Sequence, residues 1–404
     1  MNVLTCPLTR GEPDRKRDRA AGRVLSDTAL DAMIARAVPR VPVTRVSEVS
    51  RLERGAAPVF SATTPLARDL TTHMGKGLTR RAARISAVME AIERVSAERV
   101  HQPVRRASLQ QMQAIGEACL DPVSCDLPPS TRYDPAREFS WVQGWDLLRG
   151  HALWLPLDLC QSPPAEGILD QVDTNGLASG GTYGEAIRHG LLEVIERDAI
   201  SAHLFFDHFG HAGGIAPARR LLSSEGVAGV IGEVGPQQRV ELEEITTDIG
   251  VPVVACRLIE GGYDTAHGPQ QMVFGGWGCD PQVDIAARRA LTEAHQSRLG
   301  ARQGTRDSFN VMEPARHEAH RPSGTSAGAA QGALSAPPPV FGSVSQDIAW
   351  CLGKLREVGL SRVLVVNMTD PDLGVPVVRV RVPGLASYVV DRHRPGWRAM
   401  RHIL

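Results

Sequence analysis

No stretch of the 404 residues approaches the roughly 18 consecutive apolar residues of a membrane-spanning helix. The opening MNVLTCPLTRGEPDRKRDRAAG has no apolar core of the kind a secretory signal needs. A soluble cytoplasmic protein with no membrane contact is the expectation. Neither charge dominates: 45 Lys and Arg stand against 45 Asp and Glu, which speaks against a nucleic-acid coat or a polybasic anchor. Lysine is scarce, with only Lys16, Lys76 and Lys354, so a lysine inside a motif draws notice. The seven cysteines, Cys6, Cys119, Cys125, Cys160, Cys256, Cys279 and Cys351, are scattered, with no CxxC pair and no zinc spacing. A reducing compartment and buried thiols follow. Finally, GxxxxGK(S/T), GxSxG and HExxH are all missing, so the P-loop, the hydrolase elbow and the zinc-protease helix have no signature here.

What is present is a mixed pattern of helices and strands. Residues 1–25 are polar and charged and are expected to be mobile. The spacing predicts helices over 26–37, 80–100, 184–206, 284–303 and 343–358. Strands are predicted over 57–62, 141–145, 153–157, 251–258, 272–277, 362–367 and 375–382, and a helix or turn from Arg45. Residues 314–340, rich in Ala, Gly, Ser and Pro, read as a low-complexity loop. The fold class is α/β (mixed α+β), with 26–404 as one domain.

An internal repeat is the most informative feature. Gly77–Arg94 aligns without gaps on Gly180–Arg197, matching Thr79 with Thr182, Ala83 with Ala186, Glu90 with Glu193 and Glu93 with Glu196. A weaker third copy runs from Asp284 to Arg298, where Ala286, Ala290, Glu293 and Gln296 take the places of Ala83, Ala87, Glu90 and Glu93. Residues three and four apart share a helix face, so each copy carries small residues and oxygen-bearing side chains on one stripe. A single Glu-x-x-x-Arg helix is an ordinary solvent-facing pair worth a few tenths of a kcal/mol. Three copies beside small residues point instead to convergence. Glu90, Glu93, Glu193, Glu196 and Glu293 in one place repel unless cations neutralise them, and hard oxygen donors suit Mg²⁺ bridging a nucleoside triphosphate.

At these residues the chain resembles the YcaO family. Gly75-Lys-Gly-Leu-Thr79 with Ser86, Glu90, Glu93 and Arg94 is similar to the family's first nucleotide motif. Asn175-Gly-Leu-Ala-Ser-Gly180 with Glu185, Glu193, Glu196 and Arg197 is similar to the second, and Ala290 to Arg298 with Gly304-Thr-Arg-Asp307 to the third. The resemblance spans roughly residues 42 to 400. It implies a YcaO-like fold with repeated helix and strand units around an ATP site. The magnesium ligands would be Glu90, Glu93, Glu193, Glu196 and Glu293. Ser86, Glu185, Arg197 and Gln296 would contact ATP. Lys76 and Arg306 are added as phosphate clamps from charge and placement.

Within the family, Thr44-Arg-Val-x-x-Val-x-x-Leu52, Pro58-Val59 and the Gly-x-Arg-Asp element resemble the branch partnered with TfuA-like proteins. Ser308 stands where a second acid is common in that element. The resemblance implies ATP-dependent activation of a peptide backbone amide. External sulfide gives a thioamide, a neighbouring Cys, Ser or Thr side chain an azoline, and an amine an amidine. Azoline-forming members usually end in alternating prolines, whereas this chain ends Pro395-Gly-Trp-Arg-Ala-Met-Arg-His-Ile-Leu404. Implied partners are a TfuA-like protein, a precursor peptide or protein substrate and a sulfide source, with a homodimer as the assembly. No nucleophile of the enzyme's own stands out, and His189 and His295 are expected to pack. A non-catalytic YcaO-like scaffold is the alternative from another class; the retained Glu and Gln positions argue against it.

Overall fold

Ser26 opens the first helix by accepting the Ala29 amide, and α1 (Asp27–Ala37) buries Leu30, Met33, Ile34 and Ala37 behind it. The structure is a computed structural model describing residues 6–18, 22–52, 57–209, 220–221, 238–261, 271–304 and 340–400. From Arg45 the expected helix or turn is strand β1 (Arg45–Glu48) followed by a 3-10 turn. The elements then run β2 (Val59–Thr63), β3 (Thr72–Lys76), α2 (Arg80–Ala97), β4 (Val104–Ala107), α3 (Leu109–Ala114), β5 (Phe139–Asp146) and β6 (His151–Pro156). After them come β7 (Leu177–Ser179), α4 (Tyr183–Phe209), β8 (Arg220–Leu221), β9 (Gln238–Glu244), β10 (Val253–Gly261), β11 (Gln271–Cys279) and α5 (Val283–Gln303). The chain continues through α6 (Val344–Glu357), β12 (Leu364–Asn367), β13 (Val377–Arg381) and α7 (Trp397–Met400).

The strands form antiparallel sheets ordered β1-β2-β3, β11-β10-β9-β8 and β4-β5-β12-β13-β7, with β6 added on β5. The last sheet is covered on both faces. Val363, Val365, Val378 and Val380 pack with α4 and α6 through Leu191, Ile195, Ile348 and Leu352. Leu364, Val366 and Val377 pack with α1 and α2 through Ile34, Ile85, Val88 and Ile92. Successive side chains of a strand point to opposite faces, so an unbroken Val/Leu run marks a strand buried on both sides.

The repeat is a strand–turn–helix unit: β3 with α2, β7 with α4, and β11 with α5. The small residues let the helix backbone press on its own strand. A Cβ on Gly75 would lie 1.9 Å from Ala87 N and 2.4 Å from Ala83 O; one on Gly278 would lie 2.2 Å from Ala286 O and 2.8 Å from Ala290 N. These are equivalent positions in the first and third units. In the second, the equivalents are Ala178 on the strand and Gly190 on the helix, so the missing methyl has changed sides. Each helix also touches the strand of the next unit: α2 meets β7, α4 meets β11 and α5 meets β3. The units thereby close a ring. Gly75→Ala is expected to destabilise by about 3 kcal/mol or more, since backbone cannot yield as a side chain can. A denaturant midpoint close to that of the unaltered chain would refute this close packing.

The N-terminal segment corrects the sequence expectation. Residues 6–18 and 22–25 are docked: Asp14 accepts the Ser345 amide and hydroxyl at 2.8 and 2.6 Å, and Lys16 donates to Asp347 at 2.7 Å. Polarity here serves ion pairs and helix caps. Of residues 314–340, all but Val340 lie outside the described residues.

Candidate active site

Three ring junctions meet at one cleft, and each brings a glutamate to the end of a neighbouring strand. Those strand ends, Lys76, Ser179 and Cys279, are equivalent positions of the repeat. At the first junction Glu93 on α2 accepts the Ser179 amide at 2.8 Å and its hydroxyl at 3.1 Å. At the second, Glu196 on α4 lies close enough to Cys279 to raise its thiol pKa further, beyond the effect of burial. At the third, Lys76 on β3 donates to Glu293 on α5. Glu90, one turn before Glu93, accepts the Met74 amide at 3.2 Å.

The five glutamates form an electrostatic row. Burial pushes Glu93 up to about 8, and the charges of Glu193 and Glu90 add to it. Burial also pushes Glu193 up to about 7 against the pull of Arg197, with Glu196 raising it further. Glu196 is raised by burial and then by Glu293. At the end of the row burial would raise Glu293 too, but Lys76, then Arg197 and Arg289, bring it below its ordinary value. The cleft is open to solvent: the side chains of Glu193 and Glu293 are 20% and 24% exposed. A row of like charges that Lys76, Arg197 and Arg289 only partly balance suits divalent cations, and all its donors are carboxylate oxygens, which suits Mg²⁺. Among the described residues no three His, Cys, Asp or Glu side chains already converge on a point where an ion would sit.

Arg197 sits one turn after Glu193, their charged groups 3.9 Å apart. Ser86 and Gln296 lie half-buried on α2 and α5, one turn before Glu90 and one turn after Glu293. Glu185 is differently engaged. Its oxygens accept the amides of Val24 at 2.6 Å and Gly181 at 2.9 Å, so it fixes the loop ahead of α4. Arg306 lies outside the described residues.

Three further residues border the glutamates. Ser179, inside the second motif, holds Glu93 through its amide and hydroxyl. Arg289 lies one helical turn before Glu293, and its charge acts on Glu196, Glu293 and His189. His189, expected to pack, is pushed down to about 3 by burial and then by Arg289, Arg188 and Lys76, so it is neutral beside the cleft. Its signal was available: His189 falls one turn before Glu193 on the same face. His295, by contrast, is buried as expected, 3% exposed.

A ring of strand–turn–helix units around a carboxylate row, with Lys76, Arg197 and Arg289 beside its Glu193 to Glu293 end, fits an ATP- and Mg²⁺-binding protein. The comparisons agree. A family model described as YcaO cyclodehydratase, ATP- and Mg²⁺-binding, matches residues 74–386. An uncharacterized protein of Methanothermobacter thermautotrophicus is 37% identical over 390 residues, 90% of this chain and 94% of the relative. An uncharacterized protein in the tfuA 3′ region of Rhizobium leguminosarum bv. trifolii is 31% identical over 381 residues, covering 89% and 88%. YcaO from Methanopyrus kandleri, solved with AMPPCP and Mg²⁺, superposes with a TM-score of 0.72 at 27% identity over 95% of this chain and 98% of that one. The chain belongs to the YcaO family. No helix among the described residues is long and apolar enough to cross a membrane.

Proposed function

We propose that this chain is the ATP-consuming component of a system that converts a peptide backbone amide to a thioamide, working with a TfuA-like partner and a sulfide source. The observation that carries this choice of product is the relative lying in a tfuA 3′ region. In the overall change, amide, hydrosulfide and ATP give thioamide, ADP and phosphate, the amide oxygen leaving on the phosphate. Bound Mg²⁺ supplies neutralisation of the charge that builds as the γ-phosphoryl group moves.

The residues divide the work. Glu90, Glu93 and Glu193 form one end of the acidic row and Glu196 and Glu293 the other, which gives two clusters of oxygen donors for metal. Lys76, Arg197 and Arg289 would supply positive charge toward the phosphates, Lys76 from its place beside Glu293. Ser86 and Gln296 contact the nucleotide from the flanking turns. Ser179 holds Glu93 in register. No general base is required of the chain, because hydrosulfide is already an anion; positioning carries the rate. Substrate recruitment falls to a partner, and the active assembly is a homodimer.

The test is to incubate the chain with Mg·ATP, sulfide, the TfuA-like partner and a peptide, and to weigh the peptide. Exchange of one oxygen for sulfur, with ADP formed in step, supports the proposal. Loss of one water instead assigns azoline or amidine formation, the cyclodehydration that the family description names. No mass change and no ADP returns the chain to a scaffold role.

A further inference from the structure

The N-terminal segment is tied to α4 in both directions. Glu12 accepts the amides of Tyr183 and Gly184 at 2.9 and 3.1 Å, two of the helix-start amides that have no partner within a helix. In return Glu185 accepts the Val24 amide at 2.6 Å and the Leu25 amide at 3.4 Å. Asp14 caps α6 in the same manner.

A buried ion chain then continues inward from this segment. Lys16 bonds Asp347 at the start of α6, and Asp347 accepts Arg188 Nε of α4. Arg188 also donates to Asp280 at 2.7 Å, in the turn from β11 to α5. Arg188, Asp280 and Asp347 are 7%, 2% and 2% exposed, and the Lys16 side chain is 5% exposed. Breaking one partner of such a pair leaves an uncompensated buried charge. Arg188 to Asp280 crosses the α4–β11 junction, the one where Glu196 approaches Cys279. A helix is stiff along its axis, so fixing the head of α4 also fixes Glu193, roughly 14 Å further on at 1.5 Å per residue.

We propose that this segment is a strap whose docking is thermodynamically linked to Mg·nucleotide binding, with Glu12 and Lys16 as positioning residues that set α4 against the β11–α5 turn. Linkage is reciprocal: if the strap favours the nucleotide, the nucleotide favours the docked strap by the same factor. Support that served folding alone would show no such return effect.

Amide hydrogen exchange of the unaltered chain, with and without Mg·AMPPCP, reads that return directly and needs neither sulfide nor peptide. Exchange across residues 12–18 and 22–25, and at the Val24 and Leu25 amides in particular, is expected to slow by roughly tenfold on loading. Calorimetry is expected to show Glu12→Ala and Lys16→Ala binding Mg·AMPPCP roughly tenfold more weakly, and Lys16→Arg regaining most of the loss. Equal exchange in the free and loaded chain overturns the proposal, and that measurement decides even where a variant fails to fold. Unchanged affinity in folded Glu12→Ala and Lys16→Ala overturns it as well.

Discussion

Glu196→Gln is expected to lower ATP turnover by roughly a hundredfold to a thousandfold while leaving the chain folded and more stable than before. Glu196 is 6% exposed and stands between Glu193 and Glu293 in the row. The amide keeps the volume of the acid and removes its charge. Without metal that charge is unfavourable, held by burial next to another glutamate, so its loss raises the melting temperature. With Mg·ATP the same charge is a metal ligand in the proposed site, and its loss would remove transition-state stabilisation. Activity and stability therefore move in opposite directions, as expected where a site is strained for function. ADP release at saturating Mg²⁺ and a thermal melt check both halves; turnover near that of the unaltered chain would remove Glu196 from the metal site.

The metal-free chain is expected to lose stability as pH rises from about 5 to about 8, and Mg·AMPPCP to reverse the loss. Glu93 and Glu193 titrate near 8 and 7 in the folded chain, above the ordinary 4.5. Between the unfolded and folded values the native state holds the extra protons, so stability is full below about 4.5, falls as pH rises from there, and levels off once pH has passed 7 and then 8. Each unit of displacement is worth about 1.4 kcal/mol at most. Glu293 has the opposite sign, its value depressed by Lys76, and its contribution is constant over this window. Metal requires the deprotonated acids, so Mg·nucleotide affinity rises over the same range. Melting temperature against pH, with and without Mg·AMPPCP, gives the two slopes; a metal-free slope rising over this window would contradict the row of buried acids.

Much of this site could be read from the chain because it is built from a repeat. Helical spacing alone placed Glu90, Glu93, Glu193, Glu196 and Glu293 on comparable stripes, and small residues marked close backbone approach. The spacing could not show what each helix packs against. Ser179 and Cys279 reach the cleft through strand ends whose register depends on pairings distant in sequence, such as Ser179 opposite Val377. Strand β3 escaped notice because Thr72-His-Met-Gly-Lys76 has no alternation, being buried along most of its length against α2. The N-terminal segment misled for a related reason: Asp14 and Lys16 look solvated until Ser345 and Asp347, over three hundred residues on, are placed beside them. Glu185 shared the motif with its neighbours, but the amides of Val24 and Gly181 had first claim on its oxygens.

The closed ring has a consequence for how the molecule comes into being. Every junction draws one partner from each of two units, so any two units alone retain a single junction of the three. A two-unit fragment therefore keeps part of the acidic row, the end formed by Glu90, Glu93 and Glu193, and lacks the pairing of Lys76 with Glu293. On the proposed reading, full nucleotide affinity is thus a completeness signal: a chain still emerging from synthesis, with β11 and α5 unmade, is expected to bind ATP more weakly however well its first half has folded.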